Sequence, residues 1–422
     1  MSGNFQIRSL GSCRFDSPLG SRFFIEDDAG VLADATVSGC KKCDGSPDIM
    51  EEAGPRKKLF FDPAITRAAL VTCGGLCPGL NDVVRAVTMV LWYRYGIRDI
   101  LGLRYGYEGL VSARGHEPMV LTPDVVADIH QDGGTVLGTS RGEQASSAMI
   151  DFLVEKKINM LFAIGGDGTQ RGALAINAEI EKRKLSIAVV GIPKTIDNDI
   201  MYTERTFGFE TAVALSQAPI TCAHMEAKGV RNGVGLVKLM GRESGFVAAY
   251  AALASSDVNM VLIPEAPFVM EKVLAFLDAR LERKSHAVIV VAEGAGQEFV
   301  PAEGVDASGN KKLGDIGVFL KNAITDHFKK SAVPVSVRYI DPSYMIRSAR
   351  ASADDSVLCF QLAENAVHAA MTGRRAMLVG LWNGHYVHVP MEKAVESRKK
   401  IDPSGSLWQS VLDNTGQPAR LA

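Results

Sequence analysis

Two stretches decide how this chain folds: Met160-Leu161-Phe162-Ala163-Ile164-Gly165-Gly166-Asp167-Gly168-Thr169 and Ala188-Val189-Val190-Gly191-Ile192-Pro193-Lys194-Thr195-Ile196-Asp197-Asn198-Asp199. Each opens on an unbroken apolar run of strand length and breaks into glycine, aspartate and threonine. Such a run marks a strand buried on both faces of a parallel sheet, whereas a half-exposed strand alternates. Ligands of open parallel sheets bind at the carboxyl ends of the strands. Two such ends bring three aspartates, a lysine, two threonines and a glycine-rich turn to one crevice.

The same pattern extends in both directions. Residues 67–73 read as a strand and 81–92 as a helix, with Gly74, Gly75, Pro78 and Gly79 in the turn between them. A strand is expected over 99–103, a helix over 123–131 capped by Thr122, and a helix over 169–182. Further on, strands over 234–239, 260–263 and 287–292 alternate with helices over 243–255 and 270–284. Helices follow over 316–329 and 356–371, after a polar loop over 301–313, and the tail beyond Pro390 reads as polar and partly helical. Strands alternating with helices imply doubly wound parallel sheets. Residues 1–65 carry no sustained period and read as an extension that packs on or wraps the body.

At 422 residues, 47% hydrophobic and 22% charged, the chain has ordinary globular composition and the length of two or three domains. A net charge of −2 leaves no electrostatic footprint for nucleic acid or an anionic membrane, so positive charge for an anionic ligand must be local. No apolar run approaches a membrane span, and residues 1–15 lack the core of a secretory leader, which makes the cytoplasm the expected location. Seven cysteines, at 13, 40, 43, 73, 77, 222 and 359, are too scattered for a disulfide scaffold. Cys40 and Cys43 have half the spacing of a zinc site, and no second pair completes it. His385 and His388, three apart in a strand-like segment, point to opposite faces.

The inventory at the strand ends suits phosphoryl transfer: glycines let backbone approach phosphate, carboxylates hold Mg²⁺, and one carboxylate accepts the proton of an attacking hydroxyl. Gly165 to Thr169 opens a helix, whose first N–H groups face an anion. A plain tight turn has no need of the central Asp167, although lipid kinases and NAD kinases share these five letters. Asp197 and Asp199, at i and i+2 on an irregular segment, can face one pocket or divide between a proton and a metal. Gly74-Gly75-Leu76-Cys77-Pro78-Gly79 is not a Walker loop, but as a first strand-to-helix turn it is the natural nucleotide-phosphate loop. Met240-Gly241-Arg242 and Glu293-Gly294 end strands of the second half, where Arg grips phosphate and Glu accepts from hydroxyls. Arg338 and Tyr344-Met345-Ile346-Arg347 add two arginines suited to a dianion.

Taken together, these residues resemble the 6-phosphofructokinase family. Its motifs occur here in family order: Gly74-Gly75 to Asn81, Tyr105-Gly106-Tyr107-Glu108-Gly109-Leu110, Gly138-Thr139-Ser140-Arg141, Gly165 to Thr169, Pro193 to Asp199, Met240-Gly241-Arg242, Glu293-Gly294 and Tyr344-x-x-Arg347. The resemblance implies an α/β fold of two Rossmann-like doubly wound domains with the active site in the cleft between them. The nucleotide-binding domain would be 66–210 with 345–390, the sugar-phosphate domain 211–344 with 391–422, and 1–65 an N-terminal extension. The implied reaction is glycolytic: Mg²⁺-assisted transfer of the ATP γ-phosphate to the 1-hydroxyl of fructose 6-phosphate, by a homo-oligomer, dimer or tetramer. By matched position, Gly75, Tyr105, Arg141, Gly165, Gly166, Asp167, Gly168 and Thr169 face ATP, with Asp167 the Mg²⁺ carboxylate. Asp197 would take the proton, Thr195 and Asp199 position substrate and metal, and Arg141 bridge donor and acceptor, with Lys194 also in the catalytic group. Met240, Gly241, Arg242, Glu293, Arg338, Tyr344 and Arg347 would hold the sugar phosphate.

The departures from the family pattern carry information. Short bacterial-type members have glycine before Thr-Ile-Asp; Lys194 here resembles the pyrophosphate-dependent branch and a long ATP-using branch. The pyrophosphate branch has aspartate where this chain has Gly168, so ATP is the expected donor and pyrophosphate the alternative. The arginine lent by a neighbouring subunit falls on Gly233, with Arg231 nearest, and the family's His-x-x-Arg is Tyr344-x-x-Arg347. Of an effector arginine pair on the first helix, Arg85 remains and its partner position is Met89, so the short-branch allosteric site is not expected to be intact in what would be an allosteric enzyme by resemblance. A lipid or NAD kinase explains only Gly165 to Thr169. A catalytically silent sugar-phosphate-binding regulatory subunit leaves Asp167, Asp197 and Arg141 without a purpose.

Overall fold

A computed structural model describes residues 5–20, 23–37, 47–305 and 311–421, and the chain divides into two compact units. The first comprises the residues up to Thr195 with Ile200–Gly208 and Ser348–Ser397; the second comprises Ile196–Asp199, Phe209–Arg347 and the residues from Arg398. The division thus falls inside the Thr195 to Asp199 motif.

The first unit is built on a nine-stranded sheet. Its centre is five parallel strands in the order Met377–Trp382, Ala188–Pro193, Met160–Gly165, Arg67–Thr72, Asp99–Leu103. All six residues of Met160–Gly165 and of Ala188–Pro193 are buried, which is why both read as unbroken apolar runs. From Arg67–Thr72 the chain adds Asp99–Leu103 on one side and Met160–Gly165 on the other. The strand order therefore reverses between Arg67–Thr72 and Met160–Gly165, and the crevice at such a switch point is where open α/β sheets bind ligands. The helices Leu80–Arg94, Ser146–Glu155, Asp167–Lys182 and Ala353–Met371 pack against the unit through apolar faces that include Val83, Leu91, Phe152, Ile176 and Leu362.

Residues before 66 are more than a wrap. Gly30–Leu32 and Ile49–Glu52 extend the sheet antiparallel beyond His385–Pro390. Glu51 nails this edge down. Its carboxylate meets His388 Nδ1 at 3.1 Å and Arg374 Nε at 3.0 Å, with Arg56 at 3.7 Å. Burial pushes the Glu51 carboxyl up, but the His388 hydrogen bond and the Arg374 charge outweigh it and hold it at about 2. Burial pushes the His388 imidazole down, while His385 on the opposite face is exposed. Because the folded value lies below the ordinary glutamate value of about 4.3, the stabilisation is whole above that pH and is lost as pH falls toward 2. Glu51→Gln, which takes the buried countercharge from Arg374 and leaves Arg56 with the exposed Asp27, is expected to cost about 3 kcal/mol at pH 7 in a urea melt. The variant should also lose the acid-dependent part of the wild-type transition between about pH 4.3 and 2. A variant as stable as wild type at pH 7 would contradict this role.

The second unit holds a four-stranded, all-parallel sheet in the order Met260–Leu262, His286–Ala292, Gly233–Leu239, Ser336–Ile340. Helices Phe246–Ser255, Met270–Lys284 and Ile316–Lys330 stand where the sequence predicts them within a few residues. Phe209–Lys228, twenty residues with Pro219 inside it, has no counterpart in the sequence reading. The helix expected over 123–131 is instead a capped turn followed by a 3₁₀ turn at Ile129–Gln131. Side chains of the neighbouring helix claim its backbone: Arg85 Nε donates to Ala127 O at 3.2 Å, and Asn81 donates to Asp132 O at 3.1 Å and accepts from Val136 N–H at 2.8 Å. Cys13, Cys73, Cys77, Cys222 and Cys359 are free thiols, and Cys40 and Cys43 lie outside the described residues. Among the described residues no helix is long and apolar enough to cross a membrane.

Candidate active site

The strand ends of the first unit carry the residues expected to face a nucleotide. Arg67–Thr72 runs into the turn Cys73 to Gly79, and the helix Leu80–Arg94 starts on Gly79. Gly79 sits at φ 98°, and a β-carbon there would strike Cys359 Sγ at 2.6 Å, so only glycine closes this turn. On the adjacent strand, Met160–Gly165 leads directly into the helix Asp167–Lys182, which has no side-chain cap. Its first-turn N–H groups and its dipole favour negative charge at that end. Gln170 Nε2 donates to Gly165 O at 2.9 Å and Tyr107 OH donates to Thr169 O at 2.6 Å, fixing the turn from both sides. Gly168 is exposed, and a β-carbon added to it meets nothing within 4 Å.

Other expected residues converge on these turns. Lys194 follows the next strand and is buried, and its Nζ donates to Gly75 O at 2.8 Å. Thr139 Oγ1 donates to Gly74 O at 2.7 Å, and Gly74 N–H donates to Ser140 O at 3.2 Å. These bonds hold the Gly138 to Arg141 loop beside Gly74 and Gly75, where the exposed Arg141 guanidinium lies 3.4 Å from the place of a Gly75 β-carbon. Tyr105, in a left-handed conformation at φ 60°, is partly exposed beside His116 and Arg104. Thr195 O accepts from Thr206 Oγ1 at 2.7 Å. Asp167 pairs with Arg171 at 3.1 Å. Among the described residues no three His, Cys, Asp or Glu side chains form a metal cage. A lone carboxylate at a helix start still fits Mg²⁺, which is usually held by one or two carboxylates together with substrate phosphates.

The second unit gathers a different set. Glu293 N–H donates to Leu239 O at 2.9 Å and Gly294 N–H to Gly241 O at 3.0 Å, locking the Met240-Gly241-Arg242 and Glu293-Gly294 turns together. A β-carbon on Gly294 would lie 1.8 Å from Arg242 O, so this approach demands glycine. Asp197 Oδ2 accepts from Arg242 N–H at 3.2 Å, and Arg347 lies 3.7 Å from Glu293. Burial, then the charges of Asp199 and Glu293, push the Asp197 carboxyl up to about 7 against the pull of the Arg242 N–H and Arg347. Asp199 is buried and pairs with Arg398, a partner the sequence gives no signal for because 199 residues separate the two. Buried Met240 backs the same turn, and Tyr344 is exposed on the short helix Ser343–Arg347.

Arg338 stands in mid-strand on the sheet edge, half-exposed, and faces Glu226 at 3.4 Å. Gly233 is buried where a β-carbon would strike Ala227 O at 2.1 Å, so no side chain replaces the family arginine there, and Arg231 is exposed in the preceding turn.

The sequence profile described as PFK, Phosphofructokinase, matches residues 67–370. The chain is similar to the ATP-dependent 6-phosphofructokinase of Borreliella burgdorferi, with 48% identity over 99% of this chain and 98% of that one. It is similar to the ATP-dependent 6-phosphofructokinase of Amycolatopsis methanolica, with 45% identity over 99% of this chain and 96% of that one. Among solved structures, the pyrophosphate-dependent phosphofructokinase of Marinobacter aquaeolei superposes with a TM-score of 0.70 at 20% identity, covering 83% of this chain and 91% of that one, a likeness of fold. With the profile covering most of its length and relatives matching nearly all of it, the chain belongs to the phosphofructokinase family.

Proposed function

We propose that the chain transfers the γ-phosphate of ATP to the 1-hydroxyl of fructose 6-phosphate, giving fructose 1,6-bisphosphate. The observation that carries this reading is Asp197: a carboxyl held near 7, beside the Arg242 turn, Glu293 and Arg347. A general base works best when its proton affinity matches the operating pH. The relatives named for ATP at 45–48% identity support the donor.

The residues divide by partner. Gly75, Tyr105, Gly165, Gly166, Gly168 and Thr169 receive the nucleotide, the N–H groups of the Asp167–Lys182 helix start donating to phosphate oxygens. Asp167 would hold Mg²⁺, which would supply charge neutralisation there. Arg141 offers a guanidinium to the transferring group, where charge builds in the transition state. Lys194 supports the Gly75 turn, and Thr195 and Asp199 position the acceptor. Asp197 takes the 1-hydroxyl proton as that oxygen attacks. Met240, Gly241, Arg242, Glu293, Arg338, Tyr344 and Arg347 bind the sugar phosphate.

The test is product formation from fructose 6-phosphate and Mg²⁺ with ATP or pyrophosphate as donor. Product from neither donor, with folded protein that binds the sugar phosphate, would favour a silent regulatory subunit. Arg347→Ala is expected to raise the KM for fructose 6-phosphate at least about tenfold, the size of a lost charged hydrogen bond, and to leave the KM for ATP nearly unchanged. A fall in ATP affinity instead would move Arg347 to the donor side. Arg338 faces solvent on a sheet edge, and Arg338→Ala is likewise expected to raise the KM for fructose 6-phosphate far more than it lowers kcat.

A further inference from the structure

The segment Arg398 to Ile401 runs along residues that the proposed reaction needs, and neither composition nor motif points to it. Arg398 pairs with Asp199 and, through Nε, with Glu243 at 3.5 Å. Lys399 N–H donates to Asp199 O at 2.9 Å, and Lys399 O accepts from the buried Ser244 Oγ at 2.5 Å. Ile401 N–H donates to the Glu265 carboxylate at 2.9 Å, and the same carboxylate accepts from Gly245 N–H at 3.0 Å. Three successive anchors thus tie one short stretch to Asp199 on one side and to Ser244 and Gly245, just past Arg242, on the other.

We infer that Arg398 is a positioning residue for phosphoryl transfer, acting through Asp199 and the Arg242 turn to hold the acceptor end of the site in register. The inference rests on the proposed kinase reading. Its effect passes through the Asp199 carboxylate, which it grips, and the Glu243 carboxylate, which steadies its other nitrogen. Misplacing a substrate-orienting group by an ångström costs about 10²-fold in rate, and that sets the scale expected here.

The experiment is steady-state kinetics of full-length protein with ATP, Mg²⁺ and fructose 6-phosphate. Wild type must turn over; if it does not, the kinase reading fails and Arg398 is not at issue. Arg398→Met is expected to lower kcat about 30- to 100-fold while the KM for ATP stays within about threefold. Arg398→Lys, which keeps the charge but not the forked geometry, is expected to recover to within about tenfold of wild type. In an Asp199→Asn background, Arg398→Met should cost less than about threefold further, because two residues acting through one contact are not additive. The inference is overturned by an Arg398→Met kcat within threefold of wild type, or by full multiplication of its loss with that of Asp199→Asn. A loss confined to the ATP KM would also overturn it. Should Arg398→Met fail to fold, Arg398→Gln and Arg398→Lys carry the same comparison: kcat of Gln well below Lys supports positioning, and equal values refute it.

Discussion

Asp197→Asn should lower kcat about 10²- to 10⁴-fold, the range of a lost general base, while the KM for fructose 6-phosphate stays within a few-fold. The asparagine keeps the shape of the side chain, and its amide oxygen can still accept from Arg242 N–H. What it loses is the ability to take a proton, an interaction made only as the transition state forms. The pH dependence follows from the same environment. Burial and the charges of Asp199 and Glu293 raise the Asp197 carboxyl to about 7, so the free enzyme holds its base ionised only above that. The kcat/KM of wild type should therefore climb between pH 6 and 8. Stability moves the opposite way: the folded value lies above the ordinary aspartate value of about 3.9, so ionisation of Asp197 weakens the fold as pH rises through 7. Asp197→Asn should accordingly melt no lower than wild type at pH 8. A stable variant with near-normal kcat would remove Asp197 from the role of base.

The parts of the fold legible in the sequence are those where one physical rule acts alone. Met160–Gly165 and Ala188–Pro193 are buried on both faces, so nothing interrupts their apolar runs, and the glycines and aspartates after them lie at the strand ends. Met270–Lys284 was legible to the residue because one apolar face, Val273, Leu277 and Leu281, repeats every four positions. Phe209–Lys228 was not, because Pro219 reads as a helix breaker and both faces of that helix carry small or polar residues. Gly30–Leu32 and Ile49–Glu52 were hidden for another reason. They are short edge strands, and what fixes them is the Glu51 contact with His388 and Arg374, more than 320 residues away. The site divides in the same manner. Residues of a contiguous motif, such as Gly165 to Thr169, could be read as a unit. Arg398 could not, since a lone arginine in a polar tail has no periodicity or spacing, and only folding brings it to Asp199. Arg338 stands only nine residues before Arg347 in the sequence, and its place on the sheet edge, where it faces Glu226, is set by the fold.

The second large effect concerns the donor. Gly168→Asp should weaken use of ATP by at least about 10²-fold, or about 2.8 kcal/mol. Gly168 lies in the first turn of Asp167–Lys182, exposed, with nothing within 4 Å of an added β-carbon. The protein has no packing need for glycine there, and an acidic residue in the first turn of a helix complements its dipole. The variant should therefore fold and melt like wild type, which isolates the effect to the ligand. For ATP the same carboxylate adds volume and a negative charge beside the phosphates. Two such charges about 4 Å apart repel by about 4 kcal/mol at an effective dielectric of about 20, more than the loss expected. Pyrophosphate lacks the α-phosphate and nucleoside that the carboxylate displaces, so its use should fall less, and the ratio of the two donors should shift toward it. Any absolute gain is expected to be small, because the Lys194 amine suited to a compact anion already donates to Gly75 O. Retention of full ATP activity by a folded Gly168→Asp protein would dissociate this position from donor choice. Wild-type protein turning over faster with pyrophosphate than with ATP, at equal Mg²⁺ and saturating sugar phosphate, would reverse the donor assignment itself.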